Sequence, residues 1–196
     1  MNIKRTTLLG LLILAIGAVG VLAQGGDADP YQKFLALTDS APAAYSAGNK
    51  AAASAQAKTL LEMAAAYKED WNYGNAIHAA YLVLGRVAAD AGKMDEARED
   101  LFKSVTLLPY SFDRSIKRSK ASPQMDSFGP DMAFAKDMLA KGEKAAVLKY
   151  LDLCGNFWSL EDGRLSLWRK QIVAGETPDF GANLIYVFPK PAAGDR

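Results

Sequence analysis

The side chains best equipped for chemistry in this 196-residue chain are few, and each stands alone. His78 is the only histidine and Cys154 the only cysteine. A structural zinc site gathers about four such ligands, and a Ser/His/Asp triad needs its histidine oriented by a third group. His78 opens a helical stretch with no cysteine beside it, so it supplies neither arrangement and reads as a capping or surface residue. Cys154 ends the segment Tyr150-Leu151-Asp152-Leu153-Cys154, whose apolar character suits a buried small hydrophobe better than a reactive thiolate. Alone, it cannot build an internal disulfide framework. Paired acids occur at Asp95/Glu96, Glu99/Asp100 and Glu161/Asp162. A glycosidase works with two carboxylates, one of them held protonated by an apolar setting. None of the three pairs has such a setting, and the first two fall on what read as solvated helix faces. No glycine-rich phosphate loop, Gly-x-Ser-x-Gly or His-Glu-x-x-His is present. Arg114, Lys117, Arg118 and Lys120 could touch phosphate, lipid headgroups or an acidic protein. Four charges without interleaved aromatics nevertheless describe a solvated loop. The chemistry-bearing residues therefore point away from an enzyme, a cofactor or a metal, and toward binding.

The elements that carry these residues are helical almost throughout. Tyr31, Leu35 and Leu37 begin a segment punctuated by Pro42 and stopped near Gly48-Asn49. In Lys50–Lys68, Ala53, Ala57, Leu60, Leu61 and Ala64 recur at three- and four-residue steps, the mark of a buried helical stripe. The pattern returns in Ala76–Ala91 through Ile77, Tyr81, Leu84 and Ala88, and in Met94–Leu108 through Ala97, Leu101 and Val105. Tyr110–Gly129, rich in serine and holding the basic stretch, reads as a long surface loop with room for a helical turn. Helices resume over Pro130–Gly142, Lys144–Asn156 and Gly163–Ala174. Phe157, Trp158 and Trp168 are spaced to pack between the last two. The apolar run Leu184–Phe188 is too short for a helix and is expected as an extended segment laid against the bundle. The class is all-α, with about six to seven helices and an irregular C-terminal tail.

The N-terminus is of another kind. Lys4 and Arg5 precede an unbroken apolar or glycine run from Leu8 to Ala23, and Val21-Leu22-Ala23 offers small residues for a signal peptidase. Sixteen residues are short of the about 20 that span a bilayer. Residues 1–23 are therefore expected to be a secretory signal, a signal anchor in the inner membrane being the alternative. A disordered lead-in over 24–29, one helical domain over 30–188 and a flexible tail over 189–196 follow. Loss of Lys4 and Arg5 moves the formal charge from +1 to −1. Such balance excludes a globally basic nucleic-acid binder. The expected location is periplasmic or secreted.

One stretch carries a family resemblance. With His78 as first position, Tyr81 takes the large aromatic place and Leu84-Gly85 the Leu-Gly pair. Gly92, Ala97, Leu101 and Pro109 then fall at the turn glycine, the small residue, the bulky residue and the terminal proline. His78–Pro109 thus resembles one tetratricopeptide repeat, whose period is 34 residues. Ala88, where a tyrosine is usual, and Ser104 for alanine are departures. Ala47-Gly48-Asn49-Lys50 and Ala140-Lys141-Gly142-Glu143-Lys144 look like the same turn, at wider spacings that insertions would explain. The resemblance implies an antiparallel helix-hairpin array that binds a peptide or partner protein on its concave face. It places Arg86 and Lys136 at groove-facing ninth positions, with Leu82, Ala89 and Met132 beside them, and so implies an acidic partner segment. The alternative is a small exported enzyme or ligand-binding protein using the 128–188 region, where glycine, proline and aromatics concentrate.

Overall fold

Asp29 accepts the Tyr31 amide through its side chain just ahead of Pro30, so the last residue of the expected lead-in is the cap that starts the first helix. The computed structural model describes residues 29–106 and 122–188. These form helices α1 (Pro30–Ser46), α2 (Lys50–Ala64), α3 (Tyr73–Asp90), α4 (Met94–Thr106), α5 (Pro123–Phe128), α6 (Ala133–Ala140), α7 (Lys144–Cys154) and α8 (Arg164–Val173). A single 3-10 turn follows at Gly181–Leu184. Among the described residues there is no strand, and no helix is long and apolar enough to cross a membrane. The expected signal segment 1–23, the basic stretch Arg114–Lys120 and the expected tail 189–196 lie outside the described residues.

Three joints share one construction. Gly48, Gly92 and Gly142 adopt φ of 80°, 75° and 83°, a left-handed conformation that glycine enters without steric cost. At each, the glycine amide donates to a carbonyl three residues back, the next amide to one five back, and the first amide of the new helix to the glycine carbonyl. α1–α2, α3–α4 and α6–α7 are thereby folded into three hairpins with the same turn. The first two pack on each other through α2–α3 and α1–α3, while α4 meets α7 and α3 meets α5 and α6.

Small residues set the spacing of the first two hairpins. Ala53, Ala57, Ala64, Ala76, Ala80 and Ala97 are fully buried, so the helices around them approach closely. Gly85 is tighter still. A Cβ there would stand 2.5 Å from the Phe134 ring of α6 and 3.3 Å from Cβ of Asp100 on α4. The third hairpin is filled differently, by Phe134, Tyr150, Trp158 and Trp168. Phe180 closes that cluster edge-on to Trp168, with ring centroids 5.0 Å apart.

Two expectations change. The helix count rises to eight with α5, which stands at the end of the expected surface loop, where that reading left room for a helical turn. Ser122 caps it by accepting the Met125 amide at 3.2 Å, and both Met125 and Asp126 are buried. The apolar run Leu184–Phe188 is not extended: it leaves a 3-10 turn at Gly181–Leu184 and continues through bends, beside Asn183, which is pulled inward. Its side-chain amide donates to the carbonyls of Phe128 and Pro130, and its own carbonyl accepts from the Met132 amide at 2.6 Å.

Candidate functional site

The residues assigned to a partner groove occupy unequal places. Leu82 and Met132 are fully buried and Ala89 is 5% exposed, so all three belong to the core and none lines an open face. Lys136 is exposed. Arg86 is enclosed: its side chain keeps 12% exposure, and one guanidinium nitrogen lies 2.5 Å from the Asp137 carboxylate of α6. The guanidinium carbon sits 4.1 Å from the centre of the Phe188 ring and 5.5 Å from that of Tyr45. Arg86 is thus a junction between α1, α3, α6 and the C-terminal segment, and it is not poised as a free grip for a carboxylate. The two expected cations are therefore not equivalent.

His78 is likewise not at the surface; it is 2% exposed. Its Nε2 lies 3.0 Å from the Asp131 amide, which can only donate, and its Nδ1 lies 3.2 Å from the Ser104 carbonyl, which can only accept. The two contacts fix the tautomer with hydrogen on Nδ1 and leave neither nitrogen for proton transfer. Burial pulls the imidazole pKa down to about 4, so it stays neutral. Asp131 is also fully buried. One carboxylate oxygen accepts the Ala133 amide at 2.7 Å and the other the Val187 amide at 2.8 Å. Burial pushes its carboxyl up, against those two amides.

The carboxylate pairs mostly serve ion pairs or caps. Asp95 meets Arg98, Glu96 meets Lys93, Glu99 meets Lys103, and Glu161 accepts the Leu165 amide. Asp100 departs from the expected solvated face. Desolvation in the crevice beside Gly85 raises its pKa to about 6. Lys103 opposes the rise, while Glu99 and Glu96 add to it. Cys154 is fully buried, and burial pushes its thiol up, which leaves it unreactive. Among the described residues no three His, Cys, Asp or Glu side chains gather as metal ligands.

A concave feature of the described residues lies elsewhere, in a cavity of about 420 Å³. α1 contributes Leu35, Thr38 and Asp39 to it, and the start of α3 contributes Asn75, His78 and Ala79. Asn72, Gln124, Met125, Phe128, Gly129, Asp131, Tyr186 and Val187 complete the described walls. Its volume falls in the range of small-ligand pockets. Of these polar residues only His78 is singled out by the sequence, and there as a capping or surface residue. One signal was available: between Tyr73 and Arg86, α3 carries no charge, and a helix apolar nearly all round is buried. Asn75 and His78 then had to find partners inside. Comparison with known proteins finds no matching family model, no matching curated protein and no matching solved structure.

Proposed function

We propose that the chain is an exported, divergent tetratricopeptide-like scaffold that holds a partner protein or peptide on the side of the first helices α1, α3 and α6. The observation that carries this reading is the recurrence of one turn at three hairpins, each leading a first helix into a second. Stacked hairpins of this kind need several units to bury their faces and leave one broad surface for recognition. The acidic-partner idea is narrower than the sequence implied. Arg86 is already engaged by Asp137 and Phe188, so Lys136 alone of the two cations remains exposed. Near-balanced charge argues against nucleic acid as the partner.

The experiment is affinity capture on the native chain, followed by Lys136→Glu assayed against the partner recovered. A saturable one-to-one complex supports the scaffold reading. A chain that captures no protein while turning over a small molecule would replace it with the enzyme alternative. Export is tested separately: the native protein should begin at Gln24 by intact mass, and a chain retaining Met1–Ala23 in the membrane fraction would identify that segment as an anchor.

A further inference from the structure

We infer that the cavity between α1, α3, α5 and the C-terminal segment is a binding site for an organic ammonium ion with a compact apolar body. This stands on the cavity alone and does not require the scaffold reading. Its walls are selective by charge. Asp39 and Asp131 are both carboxylates, and among the described walls there is no lysine or arginine. His78 cannot oppose them, since one ring nitrogen accepts the Asp131 amide and the other donates to the Ser104 carbonyl. Asp131 has its oxygens committed to backbone amides, so it contributes negative potential from within rather than a direct contact. Asp39 is exposed at the wall and has no ion-pair partner among the described residues. It is the carboxylate a ligand can reach.

Two of the neutral polar residues agree in kind, although Gln124, whose carbonyl accepts from Asn75, presents donors. Thr38 donates its hydroxyl hydrogen to the Phe34 carbonyl, so its oxygen offers the cavity lone pairs. Asn72 donates its side-chain amide to Tyr31, which leaves its amide oxygen as an acceptor. With Asp39, these acceptors match a group with several N–H donors, and an ammonium has three. The apolar side of the ligand has its own seat. Phe128 and Tyr186 are 60% and 44% exposed, and their rings meet edge to face with centroids 6.5 Å apart. An aromatic corner beside a carboxylate is the combination that recognises organic cations, through both apolar contact and the ring quadrupole. Leu35 and Met125 extend that surface inward.

The charge could arrive as a free amine or as a lysine side chain, and the test separates them. Full-length protein is titrated calorimetrically at neutral pH with 2-phenylethylamine, with its anionic and neutral counterparts phenylacetate and 2-phenylethanol, and with N-acetyl-lysine methylamide. The amine should bind at least tenfold more tightly than either counterpart. Asp39→Asn should erase that preference while circular dichroism stays unchanged, and Phe128→Ala should weaken all three phenyl probes. Tighter binding of 2-phenylethylamine identifies a free-amine site, and tighter binding of the lysine derivative a side-chain site; either supports the inference. Equal affinity for the three phenyl probes, binding of neither cation at millimolar concentration, or an Asp39→Asn protein that still prefers the amine overturns it.

Discussion

The first two hairpins and the third solve the same packing problem with opposite materials. α1–α4 meet through alanines, and their spacing is set by how little each side chain protrudes. The third hairpin and α8 meet through Tyr150, Trp158, Trp168 and Phe180, and the gap is filled by large rings from distant parts of the chain. A seam of small residues tolerates no added bulk. A cluster of rings instead depends on each ring having its neighbours, so its weak points are the backbone positions that admit them.

The most damaging way to probe the difference is at the alanine seam. Ala97→Glu would place a charge and three extra heavy-atom shells at a fully buried contact, with an expected loss of about 4 kcal/mol. Thermal melting should show a chain unfolded or nearly so. A shift no larger than a surface substitution causes would mean that α3 and α4 do not meet there. In the aromatic half the matching position is Gly129. Its φ is 84°, and an added Cβ would lie 2.4 Å from the Trp158 ring. Gly129→Ala combines backbone strain with overpacking, and about 3 kcal/mol is expected in denaturant titration. A neutral result would show that the Trp158 ring has room to move.

His78 joins the two halves and gives them a shared dependence on pH. The unfolded imidazole takes up a proton near 6.5, the buried one only near 4. Its contribution to stability is therefore whole above pH 6.5 and is withdrawn as the pH falls toward 4, by about 3 kcal/mol. Asp100, with its pKa raised to about 6, acts in the other direction, since acidification relieves the cost of burying its charge. Subtracting the stability–pH curve of His78→Gln from that of the parent isolates the histidine. A flat difference between pH 7 and 4.5 would place His78 in water. The smallest contrast concerns the two cations once grouped together. Arg86→Glu should cost about 2 kcal/mol, because it sets like charges against Asp137 and removes the surface under Phe188. Lys136→Glu should stay within about 0.5 kcal/mol. Equal effects would mean that Arg86 is as solvated as Lys136.

What could be read in advance divides along the same line. The hairpin turns and the burial of Ala97, Leu101 and Gly85 follow from local rules, because a left-handed glycine and a three–four periodicity act within a few residues. The site does not. The Asp137 carboxylate that holds Arg86 lies 51 positions away, and Asn183 reaches back 53 and 55 positions to Pro130 and Phe128. Ninth-position logic put Arg86 facing a groove, and no local pattern announces that the chain's own later residues cover it. Beside the uncharged run of α3, Ser122-Pro123 is a second local signal, a cap followed by a first-turn proline that marks the start of α5.

The contact of Phe188 with Arg86 and Tyr45, its ring centroid 5.7 Å from that of the tyrosine, also orders events in time. The hairpins close between neighbours in sequence and can form while synthesis is still under way, at about 5–20 residues per second. The seat beside Arg86 cannot be filled until nearly the whole described chain has been made. Pairings between remote positions are the slow ones. A nascent chain therefore passes through an interval with its hairpins assembled, an arginine and two ring faces uncovered, and the latch not yet delivered. Whatever meets the protein during that interval meets a different surface from the one it finally presents.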